Sequence, residues 1–121
     1  MHTPALDFAP ASAFAAADLA RFVNEVFADY VVPMQMNEGF LWDLARKEGV
    51  DAHASLVASH AEKPVAFGLI ARRGWSARLA AFGVLPAERR HGVGRALMQR
   101  LLADARARGD RRFELECIDQ N

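Results

Sequence analysis

The sequence predicts a domain of class α/β (α+β), a mixed sheet flanked by helices with the element order β-α-α-β-β-β-α-β. Two segments before residue 50 have apolar residues at helical spacing, and the segments that follow read as short strands. Residues 79–108 then form a strand, a turn and a helix, ahead of a last strand that would pair in parallel. The chain has 121 residues, 52% of them hydrophobic, which suits one domain over residues 1–121.

The first predicted elements are a weak strand in "PALDFAP" and two helices. Ser12 is a candidate N-cap of the first helix, because apolar residues recur at helical spacing over residues 14–27. This helix should end near Pro33, since the residue before a proline disfavours helix. Asn37 can cap the second helix, "EGFLWDLARKE", and Gly49 follows it as a C′ glycine.

Four more strands and one helix complete the prediction. "HASLVASHAEKPVAFGLIARRG" predicts two strands joined by a polar turn at residues 60–64, and "SARLAAFGVLP" predicts a third. In the last strand, "RRFELECI", apolar residues alternate with Glu114 and Glu116. These apolar residues are Phe113, Leu115 and Cys117. The helix between the strands "SARLAAFGVLP" and "RRFELECI" begins at residues 92–94 and ends at Gly109. Its predicted apolar stripe is Val93, Leu97, Leu101, Leu102 and Ala105.

Composition and charge narrow the class of protein. No apolar run is long enough to span a membrane, and the N-terminus has no basic region of the kind that begins a secretory signal. One cysteine precludes an internal disulfide, so a cytoplasmic protein is expected. Residues 1–71 hold four basic and nine acidic side chains, whereas residues 72–121 hold eleven and six. The C-terminal half is therefore the better host for an anion, and the N-terminal half for a cation.

The stretch "LPAERRHGVGRALMQRLL", residues 85–102, carries the strongest functional signal. Backbone N–H groups are unpaired in the first turn of a helix, and Gly92 and Gly94 let a bulky anion approach them. Neighbouring arginines could add charge-assisted hydrogen bonds, an arrangement that suits a pyrophosphate. A phosphate-binding Walker loop is excluded, because no Gly-Lys-Ser/Thr follows, and so is a dinucleotide fingerprint, because position 97 is leucine. A surface turn with solvated arginines is the alternative.

This stretch resembles the signature of the GNAT superfamily of N-acetyltransferases, Arg/Gln-x-x-Gly-x-Gly/Ala, at Arg89, Gly92 and Gly94 of "RRHGVG". The context is similar as well. "FGVLP" resembles the end of the family's fourth strand, "RALMQRLLADARARG" the helix after it, and "LECIDQN" its fifth strand. The resemblance spans about residues 12–121, so we expect a GNAT-like domain that is incomplete at its C-terminus, truncated after the fifth strand.

The resemblance implies acetyl-CoA as the cofactor and indicates where it would bind. Backbone amides of residues 91–95 would hold the pyrophosphate, and the backbone around Phe82 and Val84 would run beside the pantetheine arm. An amide near Val84 would bond the thioester oxygen, and Asn121 would contact the pantetheine from the neighbouring strand. The implied cofactor-binding residues are Phe82, Val84, Arg89, Arg90, His91, Gly92, Val93, Gly94, Arg95 and Asn121.

The catalytic residues are not defined by the sequence. In the family, a tyrosine on the helix after the fifth strand often serves as the general acid. It has no counterpart in this sequence, since the sole tyrosine, Tyr30, falls in or after the first helix. The predicted fourth strand has no carboxylate, so Glu114 and Glu116 are the alternatives for the base, with Glu116 as a weak candidate. The segment "ADYVVPMQMNEGFLW" resembles the part of the family that lines the site of the acceptor amine, so Tyr30 and Glu38 are candidate substrate-binding residues. Most apolar residues of this segment should nevertheless belong to the core. No metal site is predicted, because the histidines lack partners at ligand spacing.

Two functions remain open at this point. The first is N-acetyl transfer from acetyl-CoA to a primary amine of a small molecule or protein; the second is a non-catalytic coenzyme A-binding or protein-interaction domain. Nucleic-acid binding is not predicted, because no aromatic residues interleave the arginines for base stacking. A fifth strand with nothing after it would leave a sheet edge uncovered, so we expect either that the chain is part of a longer protein or that a second copy covers the edge in a homodimer.

Overall fold

The computed structural model describes residues 5–28 and 37–115, and over them the element order is the one predicted. Two short 3-10 turns, at residues 11–13 and 86–88, are added to it. The strands and helices are β1 Asp7–Pro10, α1 Ala16–Val26, α2 Glu38–Glu48, β2 Leu56–His60, β3 Lys63–Arg73, β4 Ser76–Val84, α3 Val93–Arg108 and β5 Arg112–Glu114.

The five strands form one sheet in the order β1-β2-β3-β4-β5. The first four are antiparallel neighbours, and β5 pairs with β4 in parallel, which confirms the mixed sheet. The β4–β5 ladder is short and runs from Ser76 opposite Arg112 to Arg78 opposite Glu114. Over the described part of the chain, β4 therefore has no neighbour on this side from Leu79 onwards.

Helices cover both faces of the sheet. On one face α1 and α2 pack on β3, where the Phe67 ring meets Phe22 and Phe27 edge-on at centroid distances of 6.1 and 5.9 Å. On the other face α3 buries most of its predicted stripe, and only Leu102 stays half-buried. The buried members are Val93, Leu97, Leu101 and Ala105.

Short-range signals at the helix ends are mostly confirmed. The Asn37 side chain accepts a hydrogen bond from the Phe40 amide at 2.8 Å, and Gly49 and Gly109 end their helices in left-handed conformation. The Ser12 prediction is wrong, because α1 starts four residues later with Ala15 as its N-cap.

Hydrogen bonds from two consecutive amides explain the later start of α1. The amides of Ala11 and Ser12 donate to the carbonyls of Ser55 and Ala52, which ties this segment to the loop before β2 as a 3-10 turn. The Ser12 hydroxyl lies 3.1 Å from His53 Nδ1. It therefore bonds across to the loop before β2 and caps no helix.

Three apolar residues are more exposed than predicted. Phe40 and Trp42 on α2 are 52% and 56% exposed, since Leu41 takes the buried position of that turn. Leu115 is 54% exposed, because the β4–β5 ladder ends one residue before it. The predictions for Pro33 and Cys117 lie outside the described residues.

Candidate functional site

The loop between β4 and α3 has the geometry of an open helix N-terminus. Gly92 is the N-cap of α3 with φ of 81°, a left-handed conformation that favours glycine, and no side chain caps the helix. Ala96 is the first residue whose amide bonds back into the helix, to the carbonyl of Gly92 at 3.0 Å. The preceding amides lie at the positive end of the helix dipole, and no acidic side chain lies in the first turn.

Space is available in front of these amides. A Cβ added to Gly92 would have no atom within 4 Å. His91, Arg90 and Arg95 are exposed around it, and Arg90 itself has a positive φ of 69°. The loop therefore presents backbone N–H groups and two guanidinium groups to solvent.

The start of α3 packs closely on the end of β4. Val93 is buried, so only its backbone can face a ligand. A Cβ on Gly94 would lie 3.4 Å from Val84 Cγ2 and 3.7 Å from the Phe82 ring. These are ordinary contact distances, so the first turn of α3 lies directly against Phe82 and Val84, both half-buried.

Arg89 has a different environment from the other arginines of the loop. Its Nε donates to the carbonyl of Val84 at 3.1 Å, and its Nη2 donates to the carbonyl of Val26 at 3.2 Å. The guanidinium thus connects the end of β4 to the end of α1. No local sequence signal indicates this contact, because Val26 lies 63 positions away.

The free edge of β4 lies next to this loop. The register passes from Leu69 opposite Ala81 to Ile70 opposite Leu79, so Ala80 is the extra residue of a β-bulge. Beyond the three paired residues, the described part of β5 does not accompany β4. Among the described residues, no strand pairs with this edge of β4 between Leu79 and Val84.

Of the two predicted substrate-binding residues, only Glu38 lies in the described part of the chain. Glu38 is exposed in the first turn of α2, and Tyr30 lies outside the described residues. An apolar cavity of about 240 Å³ separates α1 from α2, with Trp42 in its lining. Within residues 5–28 and 37–115, Glu38 forms no ion pair, and its role at an acceptor site stays a prediction.

No described carboxylate has the environment of a catalytic base. Glu114 is exposed, and its Oε1 lies 3.4 Å from Arg112 Nη1. Glu116 and Asn121 lie outside residues 5–28 and 37–115. Within those ranges no cluster of three metal-ligating side chains occurs, and no helix is long and apolar enough to cross a membrane.

Comparison with known proteins agrees with this geometry. The sequence model of the acetyltransferase (GNAT) family matches residues 19–121. The crystal structure of ribosomal-protein-S18-alanine N-acetyltransferase from Escherichia coli is similar with a TM-score of 0.75 at 20% identity, over 97% of this chain and 70% of that one. Curated protein sequences give no significant match.

Two further solved structures share the fold. A GNAT family acetyltransferase from Brucella melitensis, crystallised with acetyl-CoA, has a TM-score of 0.73 at 19% identity, over 98% of this chain and 80% of that one. Ard1 from Thermoplasma volcanium has a TM-score of 0.66 at 23% identity, over 86% of this chain and 66% of that one.

The fold is the one seen in solved GNAT-type acetyltransferases. The family match then settles the assignment, and the chain belongs to the GNAT acetyltransferase family. The predicted fold, the N-acetyltransferase class and acetyl-CoA as the cofactor are thereby confirmed. The cytoplasmic location and the homodimer stay predictions.

Proposed function

We propose that this protein transfers an acetyl group from acetyl-CoA to a primary amine of a small molecule or a protein, and that the β4–α3 loop holds the cofactor. The observation that carries the proposal is the open N-terminus of α3 beside the edge of β4, which no strand among the described residues covers beyond Arg78. An anion-binding helix end and an unpaired strand edge, side by side, suit a ligand with a pyrophosphate and an amide-containing arm.

The loop fits the pyrophosphate on three counts. The first turn of α3 has neither a side-chain cap nor an acidic residue, the space in front of Gly92 is empty, and Arg90 and Arg95 are exposed beside it. Arg89 contributes by bracing the loop, since its guanidinium bonds two carbonyls of the protein. The His91 side chain is exposed at the outer rim.

The edge of β4 fits the other end of the cofactor. Backbone groups near Phe82 and Val84 would bond the pantetheine arm, and Asn121 would reach it from the neighbouring strand. When bound, acetyl-CoA supplies an activated acetyl group whose C–S bond breaks as the new C–N bond forms. A backbone N–H of this edge would stabilise the negative charge that develops on the acetyl oxygen. Holding both reactants in this geometry supplies further acceleration.

The acceptor would approach from the side of α1 and α2. Glu38 would attract a cationic amine, and Tyr30 would line the same site. The amine must lose a proton before or during attack, and Glu116 is the weak candidate for the base. The similarity to an enzyme that acts on an alanine of a ribosomal protein supports a protein amine among the possible acceptors.

The test compares two substitutions of open, left-handed glycines. Gly92→Glu puts a carboxylate where the pyrophosphate should bind, whereas Gly74→Glu adds the same side chain at a φ of 59° on the β3–β4 hairpin, away from the loop. Acetyl-CoA at 100 times its Kd should stabilise the protein by about 2.7 kcal/mol and raise Tm by roughly 10 °C. We expect this rise in the wild type and in Gly74→Glu, and its loss in Gly92→Glu.

A rise that survives Gly92→Glu would refute the proposed cofactor loop. A thiol-release assay with a panel of amines then distinguishes enzyme from binding domain. Tight acetyl-CoA binding without thiol release by any amine would favour the non-catalytic coenzyme A-binding domain, which the lack of a carboxylate on β4 also favours.

A further inference from the structure

A second charged cleft lies at the opposite end of β4 from the cofactor loop. It has a volume of about 430 Å³ and is formed by the end of α2, the β3–β4 hairpin and β5. This volume falls in the range of small-molecule sites, about 300–1,000 Å³. The acidic side chains in its lining are Glu48 and Glu114. The basic side chains are Arg46, Lys47, Arg72, Arg73 and Arg78.

Three of the five basic side chains are neutralised by carboxylates of the protein. These pairs are Arg78 with Glu48 at 2.7 Å, Arg46 with Asp43, and Arg72 with Asp110 at 2.7 Å and Asp51 at 3.6 Å. Glu114, the remaining acid of the lining, lies 3.4 Å from Arg112 Nη1. The carboxylates near the cleft are therefore already engaged.

Two cations and one buried donor remain without a partner. Within residues 5–28 and 37–115, neither Lys47 nor Arg73 has a carboxylate partner, and Arg72 Nε is buried with no acceptor. Because this atom is enclosed by protein, the unpaired groups that a ligand can contact directly are the exposed side chains of Lys47 and Arg73. The three groups belong to the last turn of α2 and the end of β3.

The end of α2 does not cancel this positive charge. The C-terminus of a helix carries partial negative charge from its free carbonyls, which opposes anion binding. Here the carbonyls of Ala45 and Gly49 accept hydrogen bonds from the backbone amides of Val50 and Arg72. The exposed side chains of this last turn are Arg46, Lys47 and Glu48, and the carboxylate of Glu48 is paired with Arg78.

We propose that this cleft is a binding site for a phosphate group carried by a small molecule. A phosphate dianion matches the charge of the two unpaired cations, and its oxygens can accept bidentate hydrogen bonds from a guanidinium. The cleft is larger than a phosphate group alone, so a phosphomonoester fits it better than the free ion. The site is independent of acetyl transfer and lies where β4 begins, whereas the cofactor loop follows its end.

Inorganic phosphate is the probe for the test, titrated into the full chain at constant ionic strength while backbone amide NMR shifts are recorded. We expect saturable shifts at Gly49, Gly74 and Ser76, which line or adjoin the cleft. The double variant Lys47→Gln/Arg73→Gln should weaken this binding at least ten-fold. Both positions are exposed, so stability should stay within about 0.5 kcal/mol of the wild type, which thermal melting verifies.

The matched control separates the cleft from the cofactor loop. Arg90→Gln/Arg95→Gln removes the same number of charges from the loop and should leave the shifts at the cleft unchanged. Phosphate shifts confined to residues 91–95 would overturn the proposal, since the ion would then bind the cofactor loop only. Equal shifts with acetate would also overturn it, because they would show a general response to anions.

Discussion

Arg89 connects two parts of the chain that meet only in the folded protein. Its guanidinium donates to the last residue of α1 and to the last residue of β4, at 3.2 and 3.1 Å. Val26 is the last residue of α1 and Val84 the last of β4, so both carbonyls lie at the end of a regular element. The arginine of the family signature therefore contributes to the architecture of the loop as well as to its charge.

Replacing this arginine by lysine tests that structural contribution. A lysine ammonium keeps the charge but cannot present two fixed donors to carbonyls on different elements. Arg89→Lys should lower the free energy of unfolding by about 1–3 kcal/mol, measured by urea denaturation. Arg90→Lys, one position along and exposed, should stay within about 0.5 kcal/mol of the wild type. Equal effects of the two variants would contradict the bracing contact.

Residues whose conformation depends on near neighbours are the ones that sequence predicts well. Asn37, Gly49 and Gly109 cap their helices as expected, because a cap needs only the adjacent turn. Ser12 fails for a tertiary reason, since hydrogen bonds to the loop before β2 hold its backbone in a 3-10 turn. The contact of Arg89 with α1 could not be predicted for the same reason.

Glycines on β3 and β4 set the distance between the sheet and its helices. A Cβ on Gly68 would lie 2.6 Å from Leu101 Cδ1 of α3. On the other face, a Cβ on Gly83 would overlap Val26 Cγ1 of α1 and lie 3.2 Å from Phe67 Cε1. Each helix therefore packs directly on the strand backbone at one point.

Gly83→Ala should lower the free energy of unfolding more than Gly39→Ala does. Val26 is β-branched and fully buried, so its side chain cannot rotate away from the added methyl group. We expect a loss of about 1–3 kcal/mol in the free energy of unfolding. Gly39→Ala, in the first turn of α2 with only a 3.5 Å contact, should be neutral or stabilise by up to about 1 kcal/mol. Thermal melting of both variants checks the difference.

The elements themselves were predictable, but the contacts between them were less so. Parallel pairing of β5 with β4 follows from the strand–helix–strand order and is confirmed. The length of that pairing is a tertiary property, and the exposure of Leu115 shows where it stops. Likewise, the basic cleft joins three segments distant in sequence, so charge counts could predict a basic half but no location for it.

At the scale of the whole molecule, the buried side chain of Asp110 connects separate elements through ion pairs. The Asp110 side chain is 1% exposed and accepts hydrogen bonds from Arg72 at 2.7 Å and Arg108 at 2.9 Å. It joins the end of β3 to the turn between α3 and β5. Burial alone raises the pKa of Asp110, but the hydrogen bonds and charges of the two arginines outweigh it and lower the pKa below its ordinary value. The hydrogen bond to Asp110 raises the pKa of Arg72 despite burial.

This arrangement predicts how stability depends on acid. The pKa of Asp110 is lower in the folded state than the unfolded value of about 3.9. The stabilisation of the folded state by the ionised carboxylate is therefore complete above that pH. The contribution is lost as pH falls through the folded-state pKa. Asp110→Asn should therefore be about 3 kcal/mol less stable than the wild type at pH 7, and the two should converge as pH falls below 3.9. Urea denaturation at a series of pH values measures this convergence.

Asp18→Asn is the control, because Asp18 and Arg21 form an exposed pair worth at most about 1 kcal/mol, so this variant should follow the wild type closely. A constant gap between Asp110→Asn and the wild type across this range would show that the loss comes from packing and not from the charge of Asp110.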